Sequence, residues 1–218
     1  MNETLMRLQQ DLKDLGLYTD VVDGIWGKHS QAAWAACIDK VKGTMSRKPI
    51  AWGAKVSSVF LDKVVRICED LGLNDPSDLM ACIAWESGRS FSPKIYNGAG
   101  SGAVGLIQFM PATARGLGTT TTALAAMTAE DQLDYVHKYF QPYKGRLKNL
   151  GDLYMAILWP AAIGKPDSYV LWDASSRPTT YRQNIGLDVN KDGAITRAEC
   201  LVKVNGLLTE GLKPGNVK

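Results

Sequence analysis

The stretch that most narrows what this chain can become runs from Asp75 to Ser87, "DPSDLMACIAWES". Asp75 is a helix N-cap, Pro76 suits the first helical position, and Asp78 suits the positive end of a helix. At 100° per residue, Leu79, Cys82 and Ile83 form one stripe. Glu86 falls on that stripe, three residues after Ile83 and four after Cys82. An acid there is half-withdrawn from water, which disfavours its charged form and raises its pKa. A carboxyl kept neutral near pH 7 can protonate a leaving-group oxygen. The alternative is a buried glutamate satisfied by backbone donors or by an arginine.

The helix before it reads differently. In residues 55–71, Val56, Phe60, Val64, Ile67 and Leu71 share one face, and Glu69 lies on the solvated side. Further helices are expected near 111–117, 128–140 and 150–162, with Thr128 and Asp131 spaced as a capping box. No period-two pattern exceeds four residues, so the expected class is mainly α. After Glu86 come Gly98, Gly100, Gly102 and Gly105, where another chain could approach closely, and then Ser101 and Gln108. These neutral hydrogen-bonding groups suit a sugar, and no phosphate-type basic cluster accompanies them.

The residues from Glu86-Ser87 through Ser101-Gly102-Ala103-x-Gly105-Leu106-Ile107-Gln108-Phe109-Met110-Pro111-x-Thr113-Ala114 resemble the core motifs of the goose-type lysozyme and lytic transglycosylase superfamily. Those motifs are ES and S-x-G-x-x-GL-x-Q-x-MP-x-TA. The resemblance covers roughly residues 55–185. It implies a lysozyme-like catalytic domain with a cleft for peptidoglycan glycan strands. Glu86 would be the catalytic acid/base, Ser101 and Gln108 would contact the sugar, and Met110 would line the cleft. The family's third motif, A-Y-N-A-G, falls at "MAILWPAAIG", where Trp159-Pro160 replaces Tyr-Asn. Tyr181 and Asn184, from "TYRQN", are candidate replacements; the alternative for them is packing and a turn.

The bond implied lies between N-acetylmuramic acid and N-acetylglucosamine. A lysozyme ending needs a second carboxylate to activate water. In a transglycosylase ending, Glu86 takes a proton from the sugar's own 6-hydroxyl, giving a 1,6-anhydro product. Asp131, Asp134, Asp152 and Asp173 are candidate second acids without a local signature, which tilts the reading towards the transglycosylase.

At the N-terminus, Leu5, Leu8, Leu12 and Leu15 have helical spacing and Gly16 ends the run. Ser30 is an expected cap for a helix through Ala33, Trp34 and Cys37. The residues Leu8, Gln9, Leu12, Leu15, Gly16, Asp23, Gly24, Trp26, Gly27, Ser30 and Ala33 resemble the first half of a peptidoglycan-binding repeat. Residues 1–42 are therefore expected to form a peptidoglycan-binding-like segment, 43–54 a connector, and 55–218 the catalytic domain. The alternative for 1–42 is packing alone.

Near the C-terminus, "DVNKDGAITRAE" fits the EF-hand loop without a mismatch. Asp188, Asn190 and Asp192 would supply side-chain oxygens, Ala194 a carbonyl, Thr196 a direct or water-mediated contact, and Glu199 both carboxylate oxygens. Gly193 would permit the turn and Ile195 would pack inward. A structural calcium is expected, with no cofactor for catalysis; the alternative is an ion-free turn held by the same caps.

Lys+Arg 25 against Asp+Glu 22 leaves a net charge of +3, too little to argue for nucleic acid. Cys37, Cys68, Cys82 and Cys200 form no C-x-x-C pair, so zinc is not expected and all four are read as reduced. No signal-type apolar run opens the chain and no stretch is long enough to span a membrane. The expectation is a monomer made in a host cytoplasm without a signal peptide and without stable membrane association. It would reach the wall after holin-dependent release, as a phage endolysin does, or as a virion component. A wall-binding or virion structural protein and a chitinase-like enzyme are the competing readings.

Overall fold

The computed structural model describes residues 2–45, 48–98 and 100–218. They divide into two compact units, Met1–Lys48 and Pro49–Lys218. No helix among the described residues is long and apolar enough to cross a membrane.

The first unit is a helical hairpin of α1 (Glu3–Asp14) and α2 (Lys28–Met45). Its core is small, built on Leu12, Tyr18 and Ala33. Leu15 and Trp34 are exposed. The loop between the helices is organised by Gln9, which is fully buried. Its carbonyl accepts from the N–H groups of Asp23 (3.1 Å) and Gly24 (2.8 Å), and its amide nitrogen lies 3.0 Å from both Ile25 O and Ser30 Oγ. Helix α2 starts two residues before Ser30, so Ser30 is a buried partner of Gln9 inside the helix and not its cap.

The second unit holds α3 (Ser58–Leu71), α4 (Pro76–Glu86), α5 (Pro111–Gly116), α6 (Thr121–Ala126), α7 (Ala129–Phe140), α8 (Leu150–Leu158), α9 (Pro178–Gln183) and α10 (Arg197–Gly211). Helix α4 packs against α3, α8 and α10, and α3 against α7. One small antiparallel pair, β1 (Val170–Asp173) with β2 (Ala194–Thr196), sets Trp172 beside Ile195. The architecture is mainly α, as expected. Helix α6 has no counterpart in the sequence reading. Helix α8 stops at Leu158, short of the expected 162, because Trp159 precedes a proline and adopts φ −157, ψ 87.

The expected connector, residues 43–54, is only in part a linker. Ser46 and Arg47 lie outside the described residues. Ile50, Ala51 and Trp52 are buried in the second unit. Trp52 donates its backbone N–H to Gly211 O (3.0 Å) and its indole N–H to Leu207 O (2.9 Å). Ile50 N–H donates to Lys218 O (2.9 Å), so this strap ties down the end of α10 and the C-terminus.

The glycine-rich loop folds onto Gln132 of α7, which is fully buried. Its carbonyl accepts from Leu106 N–H (2.7 Å), and its amide donates to Pro93 O (3.1 Å) and Leu124 O (2.9 Å). A Cβ on Gly105 would overlap that amide, and Gly105 has φ +85. The close approach at Gly105 is therefore to Gln132, not to a sugar chain. Gly98 has open space and an ordinary φ. Gly105→Ala is expected to destabilise the protein by about 3 kcal/mol, and Gly98→Ala by less than about 0.5 kcal/mol, in urea unfolding. Equal effects would show that the Gln132 contact does not hold the loop.

Candidate active site

Asp75 Oδ1 accepts from Ser77 N–H (2.8 Å) and starts α4 as its sequence requires. From Leu79 to Ala84 every residue is buried, so the helix is apolar all round and not only along one stripe. Helix α4 is thus the central rod of the second unit, and its last residue is Glu86.

The chain turns sharply after Glu86. Gly88, Arg89 and Phe91 all have left-handed φ, at 58°, 67° and 50°. Backbone of that kind in non-glycine residues must be held by its surroundings. Buried Ser87 accepts from Phe91 N–H through its Oγ (3.0 Å). Phe91 packs at a tilt against Trp52 and edge-on against Phe60, with centroids 6.1 and 6.3 Å away. Arg89 makes a two-pronged pair with Glu210 on α10, at 2.9 and 2.7 Å. Ser87 therefore builds the turn that sets Glu86 at the end of the rod.

Glu86 is half-buried. Among the described residues its carboxyl has no hydrogen-bond donor and no ion pair, so the satisfied-glutamate alternative finds no support there. Burial pushes its pKa from 4.5 up to about 8. Its charge in turn acts on neighbours. Burial first, and then Glu86, raises the Tyr154 phenol on α8. Burial and Tyr143, and then Glu86, raise Tyr139 on α7. Burial and then Glu86 raise Cys82, one turn back on α4. The groups its charge acts on are thus two phenols and a thiol.

The four aspartates considered as second acids are engaged or surface-placed. Asp134 pairs with Lys63 at 2.9 Å. Asp152 is buried, accepting from Gly164 N–H (2.9 Å) and pairing with Arg197 (3.2 Å). Asp173 accepts from the hydroxyls of Ser175 and Ser176, which with their N–H groups hold its carboxyl well below the usual carboxylate range. Asp131 is exposed in the first turn of α7. None of them contributes to the shift of Glu86, whose only cause is burial.

The proposed sugar contacts are less uniform. Gln108 has φ 52 and donates its amide to Ile95 O (3.2 Å) and Gly105 O (3.1 Å). Its nitrogen thus folds the loop, and its Oε1 accepts no hydrogen bond among the described residues. Ser101 is exposed and accepts from Ala103 N–H (3.3 Å), keeping its O–H to donate. Met110 is 47% exposed at the start of α5. Tyr181 donates to Asp188 (2.7 Å), and Asn184 donates to Thr180 O (2.9 Å) while closing α9. Among the described residues no hydrogen bond or ring contact joins Tyr181 or Asn184 to Glu86. Trp159 packs edge-on against Trp172 (5.6 Å) beneath the Arg177 guanidinium (5.3 Å).

Sequence reasoning missed Gln132, Tyr139, Tyr154 and Trp85. One signal was available for Gln132: it shares the buried face of α7 with Val136, three and four residues from apolar neighbours.

In the 188–199 loop the backbone has the expected form. Gly193 has φ +86 and Ile195 is fully buried. The oxygens are spent within the loop. Asp188 accepts from Lys191 N–H (2.7 Å), Asp192 from Ala194 N–H (2.9 Å), and Glu199 from Thr196 N–H (2.9 Å) in a capping box at the start of α10. Among the described residues no group of three or more His, Cys, Asp or Glu is gathered so as to hold a metal ion. The loop has the expected turn at Gly193, and its carboxylates are not drawn together.

All four cysteines are free. The first unit carries its own concavity, lined by Tyr18, Asp20, Asp23, Ile25, Lys28 and His29. His29 Nδ1 lies 2.6 Å from Asp20 Oδ2 across it.

No curated protein matches the chain. Residues 69–157, from the end of α3 to α8 and including Glu86, the glycine loop, Tyr139 and Tyr154, match the family model described as Transglycosylase SLT domain.

Proposed function

We infer that the second unit cleaves the glycan strand of peptidoglycan between N-acetylmuramic acid and N-acetylglucosamine, as a lytic transglycosylase with Glu86 as its single acid and base. The observation that carries this reading is a carboxyl without a partner among the described residues, at the end of a buried helix, neutral below about pH 8, inside the segment that matches the transglycosylase family. Glu86 gives its proton to the bridging oxygen as the glycosidic bond breaks, and the bonding pair leaves with that oxygen. The carboxylate then takes the proton of the muramic acid 6-hydroxyl, whose oxygen closes on C1 to give the 1,6-anhydro ring. No second carboxylate is needed, and the four candidates are committed elsewhere or lie at the surface.

The first unit is proposed to hold the wall, on its resemblance to half of a peptidoglycan-binding repeat. An endolysin-like role follows from that combination. A structural calcium is proposed for Asp188, Asn190, Asp192, Ala194, Thr196 and Glu199, on the complete match of spacing and the turn at Gly193.

Digestion of purified peptidoglycan tests the reaction. Wild type is expected to release anhydro-ended muropeptides, seen by mass spectrometry, with the rate falling above about pH 8 as Glu86 loses its proton. Glu86→Gln is expected to lower the rate at least ~100-fold. Reducing ends would make the enzyme a hydrolase, and an active Glu86→Gln would remove Glu86 from the mechanism.

Stability gives a second test. An ordinary glutamate ionises near 4.5, whereas Glu86 holds its proton up to about 8. Between these values the folded chain binds the extra proton, so Glu86 lowers stability as pH rises. Glu86→Gln should match wild type near pH 4 and exceed it above pH 8, by on the order of 3 kcal/mol. Equal stability at both would mean the carboxyl is well solvated.

For the loop, millimolar calcium is expected to raise the melting temperature by several degrees, and Asp188→Ala to abolish the rise. A melting temperature indifferent to calcium would leave a capped turn.

A further inference from the structure

Helix α7 has two flanks beside its buried face. One meets α3, where Asp134 pairs with Lys63 and His137 with Asp70, each at 2.9 Å. The other carries Tyr135, Lys138 and Tyr139, three and four residues apart. Tyr139 donates its O–H to Ala156 O of α8 (2.7 Å), on the side where the charge of Glu86 reaches it. Rings continue from Tyr139 in two directions. Phe109, between Gln108 and Met110, meets it edge-on at 6.2 Å, and half-buried Tyr143 meets it at a tilt, also at 6.2 Å. The Arg146 guanidinium then stands over the Tyr143 ring at 6.0 Å. A turn sets that place. Arg146 donates its backbone N–H to Tyr143 O (2.9 Å), and Gly145 between them has φ +78. Gln141 and Lys144 tie the turn to Asp70 of α3, at 2.6 and 2.8 Å. Lys144 is thereby committed. Arg146 is exposed and has no carboxylate partner among the described residues. The row of rings runs from the glycine loop past Tyr139 and ends on a cation.

Resting on the peptidoglycan reading above, we propose that Arg146, seated on Tyr143, receives a carboxylate of the peptide carried by muramic acid, so that the enzyme favours strands that still bear their peptides. The sugar rings themselves are neutral and give a guanidinium no charge to pair with. The carboxylates of peptidoglycan lie on the side arm of muramic acid. Stripped of peptide, that arm keeps one, close to the sugar; with peptide it carries others, farther out. Arg146 stands beyond Tyr143, itself one ring removed from Tyr139, which suits the longer arm. A guanidinium laid against a ring has its planar fork oriented and can meet a carboxylate with two N–H groups.

The test compares peptide-bearing glycan strands with the same strands after their carboxylates are converted to amides, using the full chain. Wild type is expected to favour the charged strands about fivefold in kcat/KM. Arg146→Gln should lose that preference through KM, and Arg146→Lys should keep part of it. Lys138→Gln removes the same charge from the other cation on this flank, which stands over Tyr135 at 4.8 Å, and should leave the preference in place. A preference unchanged in Arg146→Gln, or lost equally in Lys138→Gln, would overturn the proposal, the second outcome showing an effect of net charge alone. A third arm uses strands stripped of peptide, whose remaining carboxylate is that of the lactyl group. If Arg146→Gln slows their cleavage as much, the lactyl carboxylate is the partner and the peptide assignment falls. Binding of charged and amidated strands to Glu86→Gln, by calorimetry, separates this proposal from the reaction. If wild type releases no glycan fragments, yet adding Arg146→Gln to Glu86→Gln weakens binding of the charged strands alone, the Arg146 subsite stands and the proposed function is overturned.

Discussion

The second unit depends on the burial of α4 from every side. Helices α3, α8 and α10 cover it, and Leu79 through Ala84 have no contact with water. A helix so enclosed fixes the place of its last residue, because neither end can shift without opening the core. Glu86 sits where the rod ends and the chain turns away. Its raised pKa follows from that position, since no charged neighbour contributes to it. In the same enclosure the charge of Glu86 acts on two phenols, Tyr139 from α7 and Tyr154 from α8, and the Trp85 indole of α4 donates to the Tyr154 oxygen.

Two buried glutamines perform the same task in the two units. Gln9 accepts from successive N–H groups of the loop at Asp23 and Gly24, and Gln132 accepts from Leu106 beside Gly105. A neutral amide suits this role. It offers both a donor and an acceptor, and it carries no charge to desolvate. Each glutamine makes a loop without regular structure rigid by satisfying backbone groups that water would otherwise reach. In the second unit this stiffens the loop that carries Ser101, Gln108 and Met110.

The helical framework was legible because local rules set it. Asp75, Pro76 and Ser87 mark the ends of α4, and Thr128 caps α7 through its own hydroxyl. Local signals failed where a distant group takes over. Ser30 looks like a cap but is drawn to Gln9. Gly105 looks like room for a ligand but makes room for Gln132. The stretch ending at Trp52 looks like a linker but clamps α10. Tyr154 looks like one more apolar residue of α8, since nothing near it in sequence shows that Trp85 holds its oxygen.

By itself the sequence determined that the chain is mainly helical, that an acid lies on the apolar side of α4, and that a loop of the EF-hand spacing follows. These rest on periodicity, capping and turn chemistry, which act over a few residues. Only the tertiary structure decided that Glu86 stands without a partner among the described residues, and that the aspartates considered beside it are engaged or at the surface. It also decided which glycines are needed and which tyrosine reaches the last turn of α4. Those outcomes depend on which groups from separate helices share one dry space, and burial and pairing of that kind are set by packing across the fold.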